Sequence, residues 1–313
     1  MTLLYTDPVF LKHDTGRHPE CADRLSSITD RLNKARLIQK CHTGSYQPLT
    51  EEAVGQVHSA KQIQAAKQVA EHGGGMLDAD TIVSPDSYKV ALAAAGACVA
   101  AVDAVLKGTE KNALCLVRPP GHHATPSHSM GFCLFNNIAL AAHHARTAHK
   151  LTRILIVDWD VHHGNGTQDI FYESPEVMFL SINRYGNGFY PGTGAKDETG
   201  RGKGSGHITN VPVRFGTGRK DYHDQFDRAL EKAADKIRPE LVLISAGFDA
   251  HAKDPIGSLG LDVEDFIVLT KQVLEVSKTH SHGRLVSCLE GGYNLEALAE
   301  CAQAHLEELL KER

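Results

Sequence analysis

The sequence predicts an α/β fold with a central, mostly parallel sheet and helices on both faces. Four short apolar runs, rich in β-branched residues and leucine, alternate with longer segments of helical pattern. Such runs are typical of strands buried on both faces of a parallel sheet, and the alternation indicates strands joined by helical crossovers. The strands are expected within NALCLV (112–117), RILIV (153–157), ELVLIS (240–245) and RLVSCLE (284–290).

Three helices are expected between or beside these strands. Residues 87–108 are rich in alanine and predict a well-buried helix, and residues 136–149 predict a second one. In residues 221–237 apolar side chains recur at helical spacing and should form one buried face. That face is expected to consist of Phe226, Leu230, Ala233 and Ile237.

The composition is typical of one large globular domain spanning residues 1–313. Hydrophobic residues make up 42% of the chain and charged residues 23%, which supplies enough apolar material for a sizeable core. The formal net charge of −5 provides no basic surface for nucleic acid. The sequence offers neither an apolar run near 20 residues nor a signal-peptide pattern. We therefore expect no nucleic-acid or membrane partner, and a cytoplasmic location.

The seven cysteines form no C-x-x-C pair, and several lie in apolar runs such as ALCLV and LVSCL. A disulfide framework or a zinc ribbon is therefore not expected. Buried, reduced thiols are expected instead, which also favours the cytoplasm.

A glycine-rich stretch at 186–218 could link two domains or form a functional loop within one domain. The second interpretation is favoured, because long loops inside compact domains are usually functional and this one carries Phe189, Tyr190 and Pro191. The stretch matches neither a Walker loop nor a strand-linked G-x-G-x-x-G, so nucleotide binding is not supported.

Polar residues of catalytic type follow the end of each predicted strand. RPPGHH, DWDVHHGNG, AGFDAH and GGYN come after the four apolar runs, in chain order. In an open, doubly wound sheet, ligands bind outside the carboxyl ends of the strands. The sequence therefore predicts one active site, built from all four loops.

Asp160, His162 and Asp249 are candidate metal ligands. Side chains two apart in an extended segment point the same way, about 6–7 Å apart, so Asp160 and His162 can approach one ion. Asp249 follows a second strand of the same sheet. Two carboxylates and an imidazole suit zinc or another divalent first-row ion, with a position left for water. Alternatively the two aspartates cap loops or helices and His162 is a surface imidazole, but matching positions at two strand ends favour the metal.

His122 and His123 lie in a loop that prolines and a glycine constrain. Such a pair can supply a general base and an electrostatic partner for a metal-activated water. Tyr293 brings a phenol to the same edge, where it can donate to a developing oxyanion or merely pack a loop. The other histidine pair, His143–His144, is expected on a helix face without a functional role.

The chain resembles the zinc-dependent histone deacetylase and acetylpolyamine amidohydrolase superfamily, particularly its class II branch. The matching segments run in family order from residue 18 to 294 and cover nearly the whole chain. They are HPECADRL, RPPGHHA, GFCLFNN, DWDVHHGNGTQ, FYPGTG, ISAGFDAHAKDP and LEGGYN.

The resemblance implies a single-domain arginase/deacetylase-like fold and hydrolysis of the amide bond of an acylated amine. It implies one zinc ion per chain, bound by Asp160, His162 and Asp249. The expected partners are an acylated lysine peptide or protein, or an acylated polyamine.

The resemblance also assigns the catalytic side chains. His123 is expected to be the general base, His122 its electrostatic neighbour and Tyr293 the donor that polarises the carbonyl. Asp158 is expected to lie behind His122, and Asn165 behind His123. A carboxylate favours the cationic form of its histidine and a neutral amide does not, so His123 should be the neutral base.

Two further groups of residues follow from the resemblance alone. A structural potassium ion is expected to be held by the backbone carbonyls of Asp158, Asp160, His162, Ser181 and Ile182. A narrow tunnel for the acylated side chain is expected to be lined by Gly131, Phe132 and Tyr190, with Ile256 near its mouth.

Two other activities compete with this interpretation. An arginase-like ureohydrolase would need two manganese ions and more bridging ligands than the three that the sequence offers. A non-catalytic reader of acylated partners would be expected to lack a ligand or the tyrosine, and Asp160, His162, Asp249 and Tyr293 are all present. Hydrolysis of acyl-lysine is therefore favoured, with acetylpolyamine hydrolysis as the alternative.

Overall fold

The computed structural model describes residues 1–312. Its strands are β1 (Thr2–Tyr5), β2 (Cys41–Thr43), β3 (Gly75–Asp78), β4 (Thr81–Val83), β5 (Asn112–Cys115), β6 (Ile154–Asp158), β7 (Val177–Arg184), β8 (Ile208–Val213), β9 (Leu241–Ala246) and β10 (Leu285–Leu289). Its α-helices are α1 (Asp23–Lys34), α2 (Glu51–Val54), α3 (Ala60–Glu71), α4 (Ser87–Leu106), α5 (Asn137–Thr147), α6 (Asn165–Phe171), α7 (Arg219–Ile237), α8 (Val263–Ser281) and α9 (Leu295–Lys311).

The main sheet has the order β2-β1-β5-β10-β9-β6-β7-β8, and within the described residues every pairing in it is parallel. The four strands predicted from sequence are its central neighbours, β5, β10, β9 and β6. Each of them is buried along its whole length, which explains their nearly continuous apolar character. A small antiparallel hairpin, β3–β4, lies apart from this sheet.

Helices cover both faces of the sheet. Strand β9 packs against α5 and against α8, and β10 packs against α4 and against α8. On one side α7, α8, α9 and α1 pack in succession, and on the other α3, α4 and α5 do so. The predicted α/β class, with a mostly parallel sheet between helical layers, is confirmed. The expected apolar face of α7 is also buried.

Helix α4 corrects one expectation. Its 20 residues have a mean hydropathy of 1.9 in the most apolar window, so the expected lack of an apolar run near 20 residues is wrong. By length and composition alone this helix could cross a membrane. However, 61% of that window is buried inside the structure, where α4 packs against α5, β5 and β10. A core helix of an α/β fold passes the same test, because it is apolar on more than one face.

The glycine-rich stretch at 186–218 is neither a linker nor one continuous loop. It contains β8, which pairs in parallel with β7 and forms the edge of the main sheet. The strand carries Thr209, Asn210 and Pro212 among its apolar residues, so its sequence does not read as a buried strand. Proline is tolerated here because an edge strand leaves one side of its backbone unpaired.

The seven cysteines are free thiols, and five of them are buried. The burial of these five agrees with the expectation of thiols in the apolar core.

The buried ring of His305 predicts a pH-dependent loss of stability. Its Nδ1 lies 2.7 Å from Thr270 Oγ1 and its Nε2 lies 2.9 Å from Ser287 Oγ. Burial lowers the pKa of His305 from the usual 6.5 to about 3. The unfolded chain therefore binds this proton at mildly acidic pH, whereas the folded chain does not. Stability is expected to fall as the pH drops below about 6.5.

The His305→Gln variant keeps donor and acceptor groups but cannot titrate in this range. We expect the wild type to lose about 1.6 kcal/mol more unfolding free energy than the variant between pH 6.5 and pH 5. Urea denaturation of both proteins at the two pH values measures the difference. Equal losses in the two proteins would show that His305 does not contribute to the pH dependence.

Candidate active site

The loops that follow β5, β6, β9 and β10 meet at the carboxyl edge of the sheet. Since these four strands are neighbours and run in parallel, their carboxyl ends lie side by side. Each strand end or loop contributes at least one candidate side chain to the same region. These side chains are His122 and His123, Asp158, Asp160 and His162, Asp249, and Tyr293.

Asp160, His162 and Asp249 form a buried group of potential metal ligands. The Nδ1 atom of His162 lies 3.1 Å from Asp160 Oδ1 and 3.0 Å from Asp249 Oδ2. One donor atom from each residue lies within 4.8 Å of the others. Two carboxylates therefore converge on a single imidazole, away from solvent. Burial raises the pKa of Asp249, and the negative charge of Asp160 raises it further. A bound cation would relieve this repulsion, so the donor set fits a divalent metal.

The backbone holds both carboxylates in place. Val161 N donates to Asp249 Oδ1 at 2.8 Å, and Gly291 N donates to Asp160 Oδ2 at 2.8 Å. The neighbouring loops approach so closely that only glycine fits. A Cβ on Gly247 would lie 2.1 Å from Asp160 Oδ2, and one on Gly291 would lie 2.3 Å from Asp249 Oδ2. These glycines leave room for the carboxylates and any ion that they bind.

His122 lies in a negative environment. Its Nδ1 is 2.9 Å from Asp158 Oδ2, and its Nε2 is 3.9 Å from Asp160 Oδ2. Burial alone would lower the pKa of His122, but Asp158, Asp160 and Glu290 together raise it to about 10. These carboxylates therefore favour the cationic form of His122.

His123 lies in the opposite kind of environment. Its Nδ1 is 2.7 Å from Asn165 Oδ1, and an amide oxygen can only accept, so Nδ1 carries the proton and Nε2 is free to act as a base. Burial lowers the pKa of His123 well below its usual value, and the positive charge of His122 lowers it further. The roles predicted for the two histidines stay a prediction, and the two pKa shifts run in the directions that those roles require.

Tyr293 is positioned by three contacts. Its backbone N–H donates to Asp254 Oδ2 at 2.7 Å, the guanidinium of Arg24 lies 5.0 Å from its ring centre, and Phe132 packs edge-on at 5.7 Å. Burial raises the pKa of Tyr293 well above its usual value, although Arg24 opposes the shift. The phenol therefore keeps its proton and can donate a hydrogen bond.

Aromatic rings surround the metal-ligand group. Tyr190 packs edge-on against His123, with ring centres 5.1 Å apart, and Phe132 lies against Tyr293. Gly131 lies so close to His123 that a Cβ would come within 2.4 Å of its ring. The structure thus brings the three predicted tunnel residues to the site. It adds Phe189, which the sequence analysis did not assign: its ring stacks on His162, with centres 5.0 Å apart and an angle of 4°.

Ile256 lies in the loop after β9 and is half-buried. Asp254 Oδ1 accepts the N–H groups of Ile256 and Gly257, both at 2.9 Å, while its other oxygen holds Tyr293. Ile256 is therefore fixed close to the tyrosine loop. The carboxylate of Asp254 is engaged in these hydrogen bonds and is buried.

Two buried charged residues support the site and were missed by the sequence analysis. Glu290 Oε2 accepts the N–H groups of Gly121 and His122, at 2.7 and 3.1 Å, and burial raises its pKa to about 7. Arg24 donates from Nε to Gly292 O at 2.7 Å and from Nη2 to Glu290 O at 2.5 Å. Together they fix the two loops that carry His122 and Tyr293. In the sequence, the only sign that Glu290 and Arg24 have this role is that each is a charged residue beside a buried strand or a motif.

The five residues predicted to offer backbone carbonyls to a monovalent cation lie at neighbouring strand ends. Asp158 ends β6 and pairs in register with Ser181 of β7, and Ile182 is the next residue. Asp160 and His162 follow β6 directly.

His163, which the sequence left without a catalytic role, is held by Thr193 and Gln168 at 2.8 and 3.1 Å.

The sequence model of the histone deacetylase domain family matches residues 18–309, which include every candidate described above. The chain belongs to the histone deacetylase family. It is 38% identical over 291 residues to the histone deacetylase-like amidohydrolase of Pseudomonas aeruginosa, covering 93% of this chain and 76% of that protein. It is 42% identical over 306 residues to the polyamine deacetylase HDAC10 of Homo sapiens, covering 93% of this chain and 45% of that longer protein.

A solved structure supports the same assignment. The crystal structure of the HDA15 HD domain aligns with a TM-score of 0.94 and 37% sequence identity, covering 99% of this chain and 88% of that one. The deacetylase fold implied by the sequence resemblance is therefore confirmed. Membership of this family makes the chain an amide-hydrolysing enzyme of the deacetylase and amidohydrolase type.

Proposed function

We propose that this deacetylase-family protein is a zinc-dependent hydrolase that removes acetyl or other acyl groups from acylated lysine side chains. The convergence of the Asp160, His162 and Asp249 group with His123 and Tyr293 carries the proposal. A metal-binding group, a general base and a hydrogen-bond donor are the parts that metal-assisted amide hydrolysis requires.

Zinc fits the three proposed ligands, because it binds imidazole nitrogen and carboxylate oxygen, and its catalytic sites use three protein ligands with a fourth position left for water or substrate. When bound, the ion would supply Lewis-acid polarisation of the acyl carbonyl and of a water molecule. A bound cation would also offset the free-energy cost of burying two carboxylates beside one another.

His123 is proposed to take the proton of the attacking water. Its Nε2 is free because Nδ1 donates to Asn165, and the low pKa keeps the ring neutral at working pH. Once protonated, the ring can give the proton to the leaving amine. His122 stays cationic beside Asp158 and stabilises negative charge that develops on the substrate.

Tyr293 is proposed to donate to the carbonyl oxygen as it gains negative charge. Its phenol stays protonated, and Asp254, Arg24 and Phe132 hold it in one place. A fixed donor of this kind needs no reorganisation at the moment of reaction.

A structural potassium ion is proposed between the ends of β6 and β7. The supporting observation is the register of Asp158 with Ser181, which places backbone carbonyls of the two strands side by side. Carbonyl oxygens are the ligands that hard cations prefer.

Several features favour acyl-lysine over a cationic polyamine. Acylation removes the lysine charge, and the aromatic rings of Phe132, Tyr190 and Phe189 suit an apolar stem. Ile256 offers no carboxylate beside the tyrosine loop. The guanidinium of Arg184 lies 4.2 Å from the centre of the Phe189 ring and would repel a second positive charge.

Acetylpolyamine hydrolysis is the second candidate, and two observations support it. HDAC10, a polyamine deacetylase by name, is 42% identical to the chain. Asp80 Oδ1 accepts the N–H of Gly131 at 3.2 Å. Burial raises the pKa of Tyr190, and the negative charges of Asp80 and Asp78 raise it further. Negative charge is therefore present near one tunnel wall.

We expect kcat/KM to be higher for acyl-lysine peptides than for acetylspermidine or acetylputrescine. The Ile256→Glu variant should raise kcat/KM for acetylspermidine by roughly fivefold, about 1 kcal/mol for one new charge pair, and Ile256→Gln should not. Steady-state kinetics on both substrate classes, with and without a chelator, measures this. An acetylpolyamine preferred tenfold or more by the wild type would contradict the acyl-lysine assignment. Activity that survives complete metal removal would contradict metal dependence.

A further inference from the structure

A second cluster of metal-binding side chains lies outside the candidate active site. Asp103 is on α4, His144 is on α5, and His149 follows α5 in the loop to β6. Asp103 Oδ1 lies 2.7 Å from His144 Nε2 and 2.6 Å from His149 Nε2. The three donor atoms lie within 4.8 Å of one another, a limit that the active-site group also satisfies.

The position of the cluster separates it from the reaction. Helix α5 begins beside the histidine loop, where the side chain of Asn137 donates to Pro119 O at 3.0 Å. His144 lies seven residues further along this helix, roughly 10 Å away at the rise of an α-helix. The cluster thus connects α4, α5 and the loop to β6, rather than the loops at the carboxyl edge.

The surroundings leave the cluster accessible. The side chains of His144, His149 and Asp103 are 29%, 23% and 34% exposed. An ion can reach them, and water can fill the positions that the three side chains leave open. Lys107 is a competing cation, but its Nζ lies 3.9 Å from the other oxygen of Asp103, so Oδ1 remains available to the histidines.

The chemistry of the donors selects the kind of ion. Two imidazole nitrogens and one carboxylate oxygen suit zinc, cobalt, nickel or copper, whereas magnesium and calcium prefer oxygen donors alone. Around a tetrahedral zinc ion the donor atoms lie roughly 3.3 Å apart. Each histidine nitrogen therefore has to move back from Asp103 by only about 0.6 Å, with its proton released or carried on Nδ1.

We propose that Asp103, His144 and His149 form a second binding site for a divalent first-row transition ion, independent of the active site. A bound ion replaces two hydrogen bonds with a cross-link between α4, α5 and the following loop. Because an ion that binds only the folded state stabilises it by mass action, occupancy should raise the melting temperature. Hydrolysis should not depend on this site.

The test uses metal-free protein titrated with Co²⁺, followed by visible absorption, and with Zn²⁺, followed by metal analysis after gel filtration. We expect the wild type to bind two equivalents and the His144→Ala/His149→Ala variant to bind one. Asp103→Asn, which retains the shape of the side chain, should also weaken the second equivalent. His143→Ala is the matched control, because it removes a neighbouring histidine of α5 outside the cluster, and it should still bind two.

The outcomes separate this proposal from the proposed function. One equivalent in both the wild type and the double variant would overturn the second site and leave the active site as the metal site. One equivalent in the wild type and none in the double variant would support the second site and contradict metal binding at the active site. Retention of two equivalents by the double variant would also overturn the proposal. A rise in melting temperature with the second equivalent, present in the wild type and in His143→Ala only, would support it independently of activity.

Discussion

Replacement of Tyr293 by phenylalanine is expected to lower kcat by about 100- to 1,000-fold while changing KM little. The phenol is expected to donate to an oxygen that becomes fully negative only in the transition state, so its loss should not weaken substrate binding in the ground state. Removal of one such preorganised donor costs roughly 3–4 kcal/mol of barrier. The ring itself remains, so its contacts with Phe132 and Arg24 should persist.

Steady-state kinetics on one good acyl-lysine substrate measures this effect. Tyr46→Phe is the matched control: its phenol donates to Asp7 at 3.0 Å, neither residue is assigned to the site, and its loss should leave kcat unchanged. Unfolding curves for both variants show whether the fold is retained. A loss below about tenfold for Tyr293→Phe, which is about 1.4 kcal/mol, would place this phenol outside the reacting centre.

The sequence analysis identified the four central strands of the sheet, each followed by polar residues of catalytic type, but not β1 or β7, although both are also buried. The strands β5, β6, β9 and β10 are buried on both faces, so their residues are almost all apolar and their polar ends are conspicuous. Parallel geometry then implied that the loops after them meet at one edge. No knowledge of distant contacts is needed to infer this, because the strands of a parallel sheet all end at the same edge.

The sequence was uninformative where the structure depends on distant contacts. Arg24 donates to Gly292, 268 residues away, and nothing in its own neighbourhood indicates that partner. Phe189 and Tyr190 are adjacent, yet both contact His162, which a strictly extended segment would not allow. Strand β8 was missed because an edge strand tolerates polar residues and proline.

His144 shows the same limitation. As part of a histidine pair on a helix, it was expected to have no function. Its neighbour His143 does not belong to the cluster of potential ligands, whereas Asp103 comes from another helix, 41 residues away. The packing of α4 on α5 creates the cluster, and single-sequence spacing cannot reveal such packing.

Replacement of Asp249 by asparagine is expected to abolish amide hydrolysis through loss of bound metal. Asp249 contributes one of two carboxylates to the proposed ligand group, and a neutral amide oxygen is a much weaker ligand for zinc than a carboxylate. The metal-free fold should be retained. An amide oxygen can still accept from Val161 N, as Asp249 Oδ1 does at 2.8 Å, and the change removes a carboxylate whose pKa burial has raised.

Metal content and activity should therefore fall, whereas the unfolding free energy of the metal-free protein should stay the same or rise. We expect Asp249→Asn to lose the active-site equivalent of zinc and all measurable hydrolysis, while the metal-free variant unfolds at the same urea concentration as the metal-free wild type or a higher one. The reason for the last result is that a neutral side chain avoids the repulsion between Asp249 and Asp160 in the absence of a cation.

Asp235→Asn, the same change on an exposed position of α7, should leave zinc content, activity and stability unchanged. If folded Asp249→Asn retained its zinc and its activity, the residue could not be a metal ligand. If the metal-free variant were instead strongly destabilised, Asp249 would have to stabilise the fold by itself rather than through the ion.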